Sequence, residues 1–290
     1  MLLITGANGQ LGRLIVEDVL RREPDVAVAV SVRNVAAASD LAARGVEVRQ
    51  GDYDDPALMR AVFEGVDRLL LMPAPTPDPG ARVAQMLPVV GAAADAGVKH
   101  VVYPGAAEID GLDFPLFRAH ARVFAAIEHT GVAATNLRNA IYAEVIAGEV
   151  TGAIQTGELA APVDGARVAP VLRTDLAAAT ATVLLDDSGH EGKAYDLTGP
   201  DAVGWDELAA LASERAGKPI PFRPISAADA EARLVAAGVP AAYLGPMLGF
   251  YAAYRAGWSG TPSGDIERLA GRRPTPTLQA IAAVLDGTAK

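Results

Sequence analysis

The sequence predicts an α/β fold in which a doubly wound parallel sheet carries helices on both faces. Short apolar runs alternate with helix-length amphipathic segments through residue 140. The apolar runs are continuous, as expected for strands that are buried on both faces. A glycine-rich turn over residues 5–12 separates the first run from the first helix. With 290 residues, 51% of them hydrophobic, the chain could form one large domain or two small ones.

Each element is predicted from its own local pattern. Residues 2–5 form an apolar strand, and apolar positions at helical spacing predict a helix over 11–20. Asp55-Pro56 supplies an N-cap and a first-turn proline for a helix over 57–64. Pro88 is expected to bend the helix over 82–96. The other predicted strands are 26–32, 46–49, 69–72, 100–103 and 134–137, and a further helix covers 117–129.

The glycine-rich turn predicts a dinucleotide-binding loop. It reads Thr5-Gly6-Ala7-Asn8-Gly9-Gln10-Leu11-Gly12. In such a loop the first glycine permits a sharp turn, the second lets backbone N–H groups approach a pyrophosphate, and the third allows close helix packing. The helix N-terminus adds unpaired N–H groups and the positive end of a dipole. The pattern could be a structural turn only, but its place between a strand and a helix favours a Rossmann-type nucleotide site.

The end of the second strand favours NADPH over NADH. An acidic residue there would bind the ribose 2′-hydroxyl of NADH, whereas a basic one fits the 2′-phosphate of NADPH. The chain has Arg33 at this place and no acid before Asp40. Alternatively, Arg33 is an exposed loop charge. After the third strand, Asp52 and Tyr53 are expected at the adenine, although Asp52 could instead help to cap the next helix, as Asp55 is expected to do.

These patterns predict two parts of the chain. Residues 1–140 are expected to form an NAD(P)-binding Rossmann domain, to which strand and helix pieces return from 168–200. Residues 141–290 are expected to form a smaller, mostly helical substrate lobe, because from Ser226 onward the pattern is almost entirely helical.

Composition excludes several classes of function. The net charge of −10 argues against a nucleic-acid partner. The absence of cysteine excludes thiolate catalysis and cysteine metal sites, and no His-x-x-x-His or Glu-x-x-His pattern points to a metal. No apolar run has the length and purity of a membrane span, and the N-terminus does not read as a secretory leader. We therefore expect a cytoplasmic protein with neither a metal nor a membrane partner.

Taken together, the motifs resemble the NmrA-like branch of the atypical short-chain dehydrogenases/reductases, and within it the type-2 NAD(P)H:quinone oxidoreductases. The motifs that carry the resemblance are ITGANGQLG, SVRN, QGDYDD, LLLMPAP, NLRNAIY and GHEGKAYDLTGP, which span essentially the whole chain. The resemblance implies that Gly6 to Leu11 hold the pyrophosphate, that Arg33 holds the 2′-phosphate, and that Asp52 meets the adenine.

The same resemblance implies the position of the nicotinamide. Met72, Pro73 and Ala74 would line the ribose and nicotinamide side, and Asn139 to Tyr142 would form a wall of the nicotinamide and substrate pocket. Met72 could also be ordinary core. The group often carries a Ser/Thr-rich stretch after strand four, whereas this chain has Pro73-Ala74-Pro75. The change removes hydroxyls that could make polar contacts with the cofactor there, and backbone groups could replace them.

The usual proton relay of short-chain dehydrogenases is missing from the sequence. Four residues after each tyrosine stands a residue other than lysine, so the chain has no Tyr-x-x-x-Lys motif. The remaining mechanism is hydride transfer in which the protein only holds NADPH and the substrate in the right orientation. A quinone suits this mechanism because its reduced oxygens can take protons from water. The candidate catalytic residues are His120 and Tyr103, with Tyr142 as a further possible donor. Alternatively, His120 and Tyr103 only pack in the core.

Three functional hypotheses follow. The first is an NADPH-dependent oxidoreductase that transfers hydride to a quinone or related conjugated carbonyl, with a small aromatic or quinone-like substrate. The second is an NADP(H)-binding redox-sensing regulator without turnover, and the third is a biosynthetic reductase or isomerase. The aromatic residues Phe250, Tyr251, Tyr254 and Trp258 would share one helix face, as core, as a homodimer contact or as a lid over a flat substrate.

Overall fold

The computed structural model describes residues 1–107, 112–186 and 189–289. Its strands are β1 (Leu2–Thr5), β2 (Val28–Val32), β3 (Glu47–Gln50), β4 (Arg68–Leu70), β5 (His100–Gly105), β6 (Ala133–Asn139), β7 (Leu159–Ala161), β8 (Arg167–Val168), β9 (Ala194–Leu197), β10 (Val203–Gly204) and β11 (Phe222–Pro224). Its helices are α1 (Gln10–Arg22), α2 (Ser39–Ala42), α3 (Pro56–Val62), α4 (Pro79–Asp95), α5 (Pro115–His129), α6 (Ala143–Thr156), α7 (Arg173–Leu185), α8 (Trp205–Ala216), α9 (Ala227–Ala236), α10 (Ala241–Arg255), α11 (Asp265–Ala270) and α12 (Thr277–Leu285).

Seven strands form the main sheet, in the order β3-β2-β1-β4-β5-β6-β9. The pairings from β3 across to β6 are all parallel. The order of the first six strands is that of a doubly wound dinucleotide-binding sheet. In such a sheet the strands after β1 are added first on one side and then, from β4 onward, on the other side. The predicted α/β fold class is therefore confirmed. Ligands of such sheets bind at the carboxyl ends of the strands where the side changes, between β1 and β4.

The core of the sheet explains the continuous apolar runs of the sequence. Every residue of β1, β2 and β5 is buried, because helices cover both faces. On one face, Leu3 and Leu69 pack in a cluster with Val89 of α4 and Val123 of α5. Burial of one such side chain contributes about 1.5–3 kcal/mol. The edge strand β3 is partly exposed, which suits its charged residues.

The structure differs from the predicted boundaries by up to three residues, and the largest difference is at the start of α4. Helix α4 begins at Pro79 and not at residue 82, because the Asp78 carboxylate accepts from the backbone N–H of Ala81 at 2.5 Å. Pro88 lies inside this helix. Between β2 and β3, where the sequence predicted no element, a 3₁₀ turn over Val35–Ala38 leads into α2. Its cap is Asn34, whose side chain accepts from the Ala36 N–H at 3.1 Å.

The chain divides into two compact units. The first unit comprises Met1–Ala106, Pro115–Asn139 and Leu176–Asp196, and the second comprises Ala107–Phe114, Ala140–Asp175 and Leu197–Lys290. The second unit contains the short strand pairs β7–β11 and β8–β10. The predicted domain boundary after residue 140 stays a prediction. Within the described ranges, no helix combines the length and apolar character needed to cross a membrane.

Candidate functional site

A cavity of about 780 Å³ opens in the first unit at the carboxyl ends of β1 to β4. Its walls come from the last residues of β1 and β2, from the segments that follow β1 to β4, and from one residue of α4. The lining residues are Thr5, Gly6, Asn8, Gly9, Ser31, Val32, Arg33, Asn34, Ala37, Gly51, Asp52, Tyr53, Asp54, Met72, Pro73, Pro75, Thr76 and Gln85. Eight of the predicted cofactor residues are among them: Gly6, Asn8, Gly9, Arg33, Asp52, Tyr53, Met72 and Pro73.

Each glycine of the turn after β1 has a separate structural reason. Gly6 has φ +65°, and a Cβ there would lie 3.3 Å from Met72. The N–H of Gly9 donates to the Gly6 carbonyl oxygen at 2.9 Å, which closes the turn. A Cβ on Gly12 would overlap the Gly6 carbonyl oxygen. Gly12 thus allows α1 to pack against the turn itself.

The N-terminus of α1 fits an anion. Gly9 caps the helix without a side-chain hydrogen bond, and the first turn holds no acidic residue. The first N–H groups of a helix lack partners within the helix and lie at the positive end of its dipole. Gly6 and Gly9 line the cavity beside this helix end. A dinucleotide pyrophosphate has the charge and the acceptor oxygens to satisfy these donors.

The loop after β2 presents an available positive charge. Arg33 is exposed and lines the cavity, and no described residue pairs with its guanidinium. The nearby acid Asp40 is ion-paired with Arg13. The Asn8 amide donates to the Asn34 carbonyl at 3.1 Å, which ties this loop to the glycine turn. A 2′-phosphate fits this arrangement, because a free guanidinium fork can bind it without breaking an existing ion pair.

Three residues that line the cavity, Thr5, Tyr53 and Met72, are joined to one another by hydrogen bonds. Thr5 Oγ1 accepts from the Met72 N–H at 2.8 Å and donates to the Leu70 carbonyl at 3.1 Å. The Tyr53 hydroxyl lies 2.7 Å from Thr5 Oγ1 and 2.8 Å from the Met72 carbonyl. Burial raises the pKa of Tyr53, so the phenol stays protonated and can donate. Sequence reasoning missed the role of Thr5, whose only signal was a hydroxyl at the end of a buried strand.

The carboxylates that follow β3 make different hydrogen bonds. Asp52 Oδ1 accepts from the Asp54 N–H at 3.1 Å, and Asp52 also lines the cavity. Asp55 caps α3 by accepting from the Leu58 N–H at 2.9 Å, so the capping role expected for Asp55 is observed. Gln85 of α4, which sequence reasoning missed, donates to Asp54 Oδ1 at 2.6 Å. The contact of Asp52 with adenine stays a prediction.

The other predicted cofactor residues do not line the cavity. Ala7, Leu11, Gly12 and Ala74 are buried beside it, and Gln10 is the first residue of α1. Asn139 is buried at the end of β6 in the first unit. Tyr142 belongs to the second unit, where it caps α6 and the Arg173 guanidinium carbon lies 4.7 Å from its ring centroid. Their contacts with cofactor and substrate stay predictions.

The two catalytic candidates belong to the first unit, and neither lines the cavity: Tyr103 is buried and His120 is half-buried. Tyr103 is fully buried on β5, and its hydroxyl is 3.0 Å from Nδ1 of His120 on α5. His120 Nε2 lies 3.0 Å from Nη1 of Arg82. Because a guanidinium only donates, Nε2 accepts, and the neutral ring donates from Nδ1 to the Tyr103 hydroxyl. Burial, together with the Arg82 charge, lowers the pKa of His120 to about 3.

An aromatic cluster occupies the second unit. Tyr254 stacks on Trp258 with ring centroids 6.1 Å apart, and Phe250 lies 5.6 Å from Trp258. Trp205 of α8 lies 5.5 Å from Tyr254, and its indole N–H donates to Glu149 of α6 at 3.1 Å. Burial raises the pKa of Glu149 to about 7, against the opposing effect of this hydrogen bond. Trp258 lies beyond the end of α10, so the cluster extends past a single helix face.

No group of three or more His, Asp or Glu residues in the part of the chain that the structure describes is placed to hold a metal ion.

The strand order, the glycine turn and the cavity together define a Rossmann-type dinucleotide-binding protein. The sequence profile described as the NmrA-like family matches residues 1–255, and the chain belongs to this family.

Reductases of known sequence and structure are similar to this chain over most of its length. The chain is 35% identical over 240 residues to quinone oxidoreductase 2 of Escherichia coli strain K12, with 83% of each chain covered. The solved structure of an NADPH-dependent quinone oxidoreductase from Escherichia coli, complexed with NADPH, matches with a TM-score of 0.92 and 31% identity. A Citrobacter triphenylmethane reductase complexed with NADP(H) matches with a TM-score of 0.89 and 35% identity. Each structural match covers 98% of this chain and 99% of the other.

Proposed function

We propose that the protein transfers a hydride from NADPH to a quinone or a related conjugated carbonyl without a Tyr-x-x-x-Lys motif. The observation that carries the proposal is the cavity at the carboxyl ends of β1 to β4, which joins a glycine-lined helix N-terminus to the unpaired guanidinium of Arg33. The first feature suits a pyrophosphate and the second a 2′-phosphate. Arg33 thus supports NADPH over NADH.

The coarser class, an NAD(P)H-dependent oxidoreductase, is confirmed by relatives that are named as reductases and by matching structures complexed with NADP(H) or NADPH. The quinone substrate is the proposal, and it is supported by the name of one relative, the quinone oxidoreductase 2 of Escherichia coli, which is similar to this chain in both sequence and structure.

In this proposal the protein contributes binding and orientation. NADPH, when bound, supplies the hydride. The α1 N-terminus would hold the pyrophosphate, and Arg33 would hold the 2′-phosphate. The hydrogen bonds among Thr5, Tyr53 and Met72 would hold these three residues of the cavity lining in place for the cofactor. Holding two reactants in a productive geometry can supply much of a barrier reduction without an acid–base residue. The protons that complete quinone reduction would come from water.

One observation favours the alternative, an NADP(H)-binding redox-sensing regulator without turnover. Tyr103 is buried, His120 is half-buried with its Nε2 accepting from Arg82, and neither residue lines the cavity. Neither side chain is therefore placed to donate a proton at the cavity. A sensor would need the cofactor cavity but no proton donor.

Two parallel measurements separate these functions. NADPH oxidation, followed by absorbance, is measured against a panel of small benzoquinones and naphthoquinones, and NADPH, NADP⁺ and NADH are titrated by calorimetry. We expect turnover with at least one quinone and tighter binding of NADPH than of NADH. Tight NADPH binding without turnover on any quinone would favour the sensor. Absence of NADPH binding would overturn the assignment of the cavity.

A further inference from the structure

A wall of the cavity is built from a segment that has almost no backbone hydrogen bonding. Residues 73–79 read PAPTPDP and are called here the proline segment. Proline has no N–H to donate. Among the described residues, no backbone–backbone hydrogen bond involves residues 73–77. Pro73, Pro75 and Thr76 nevertheless line the cavity, so another contact must hold this wall in place.

Arg82 of α4 makes that contact. Its Nη2 donates to the Thr76 carbonyl at 2.9 Å, while its Nη1 donates to His120 Nε2 at 3.0 Å. The planar guanidinium fork therefore binds the proline segment with one arm and α5 with the other. The Arg82 side chain therefore links the proline segment to α5, two segments that are far apart in the sequence.

The second arm of Arg82 ends in a rigid part of the fold. His120 donates from Nδ1 to the hydroxyl of Tyr103, which is fully buried on β5 of the main sheet. The Tyr103 ring packs 5.8 Å from the His120 ring and 6.4 Å from Phe124. His120 serves here as a neutral acceptor, because a protonated ring could not accept from Arg82. The three side chains thus connect the sheet to the proline segment.

We propose that Arg82 is a positioning residue that holds the proline segment as a preformed wall of the cofactor cavity, with His120 and Tyr103 fixing its direction. This inference rests on the proposed function in one respect, that the cavity binds NADPH. A wall that is already in place needs no ordering when the cofactor arrives. If the binding-competent form were populated only in part, the apparent affinity would fall by the same fraction.

The first test compares Arg82→Gln, Arg82→Lys and Arg60→Gln. Arg60 is exposed on α3 of the same unit, so its variant removes one positive charge and leaves the contacts of Arg82 intact. We expect both Arg82 variants to raise the Kd and the KM for NADPH by about tenfold, with kcat at saturating NADPH within about twofold of wild type. Lysine should fail although it keeps the charge, because an ammonium has no fork that spans both acceptors. Arg60→Gln should bind NADPH as wild type does.

A second pair of variants keeps the test decisive if an Arg82 variant does not fold. His120→Gln retains a neutral acceptor for Arg82, whereas His120→Leu removes it. We expect NADPH affinity near wild type for the glutamine variant and about tenfold weaker binding for the leucine variant, because only the latter frees Arg82. Melting temperatures identify variants that fold.

Three results would overturn the inference: wild-type NADPH affinity in Arg82→Gln, restoration of affinity by Arg82→Lys, or equal affinity of the two His120 variants. Wild-type protein that fails to bind NADPH would overturn the proposed function and this inference together. Wild-type protein that binds NADPH but reduces no quinone would overturn the reductase alone, and the Kd comparison would still decide the role of Arg82.

Discussion

Arg33 is the residue at which we expect the two nicotinamide cofactors to be distinguished. Its guanidinium has no partner among the described residues, so a 2′-phosphate would gain a charge-assisted contact at little cost. Arg33→Ala should therefore weaken NADPH binding by about 1–3 kcal/mol and leave NADH binding nearly unchanged. Calorimetric titration of both cofactors measures the difference.

The control for this change is Arg60→Ala, which removes one exposed arginine of the same unit outside the cavity lining. It should alter neither affinity. If Arg33→Ala weakened both cofactors equally, Arg33 would contribute a general field or loop structure, and cofactor selection would lie elsewhere.

Replacement of Gly9 should affect chiefly NADPH binding, whereas replacement of Gly12 should affect chiefly the stability of the fold. Gly9 has φ −80°, which any residue can adopt, but it lines the cavity. A Cβ at Gly9 would also lie 3.1 Å from the Gly6 carbonyl oxygen, a tight contact that should cost some stability. Gly9→Val should lose NADPH binding, because its side chain occupies space that the pyrophosphate needs. Gly12→Ala places a methyl group on the Gly6 carbonyl oxygen and should lower the free energy of unfolding by about 1–3 kcal/mol. Thermal melts with and without NADPH separate the two effects, and unchanged NADPH affinity in folded Gly9→Val would contradict the loop assignment.

The residues that could be predicted from sequence act through neighbours in the chain. The Asp55 cap lies three positions from its partner Leu58, so local pattern identifies it. The Tyr53–Thr5, Met72–Thr5 and Arg82–His120 contacts join residues 48, 67 and 38 positions apart. No local pattern contains such pairs, because they exist only after the strands and helices have packed.

The same distinction holds for whole elements. Strands β1 to β6 and helices α1 and α3 to α5 were predictable because hydrophobic period and capping are written within each segment. Strands β7, β8, β10 and β11 have two or three residues each. Their existence depends on pairing with a distant segment, as Phe222 pairs with Leu159.

The contact between α6 and α8 should make stability depend on pH. Burial raises the pKa of Glu149 from 4.5 to about 7, so between these pH values the folded protein holds a proton that the unfolded chain has lost. Stability from this group is therefore present at low pH and falls as pH rises through that window. Glu149→Gln keeps an acceptor for Trp205 and removes the titration, so its advantage should grow to roughly 1–3 kcal/mol between pH 5 and pH 8.

Urea unfolding at both pH values measures this effect. Glu231→Gln is the matched control, since Glu231 is exposed on α9 of the same unit. A stability difference between Glu149→Gln and wild type that does not change with pH would show that Glu149 is ionised in the folded protein.

For the whole reaction, we expect no side chain of the buried core to act as an essential acid. His120 has its pKa lowered to about 3, so no ionisation of this ring should appear in the kcat/KM profile near neutral pH. Tyr103→Phe removes one hydrogen bond in the core and should lower turnover by less than about 100-fold, below the upper range for loss of a general acid.

Kinetics of wild type and Tyr103→Phe from pH 5 to pH 9 test this account. Loss of all turnover in Tyr103→Phe with NADPH binding intact, or an ionisation near 6.5 that disappears in His120→Gln, would place a proton donor in the core. Hydride transfer by positioning alone would then be wrong.

Strand β9 is the neighbour of β6 in the main sheet but does not follow it directly in the chain. It lies beside β6 in the sheet, yet residues 140–175 of the second unit are synthesised between the two strands. Until β9 arrives, backbone groups of β6 such as the Asn136 N–H, which finally donates to the Lys193 carbonyl, stand unpaired at an open edge. A nascent or truncated chain that ends after β6 would therefore expose a template for pairing with a second copy. A continuous fragment of the nucleotide-binding sheet therefore has to extend through β9, with residues 140–175 included, to avoid that edge.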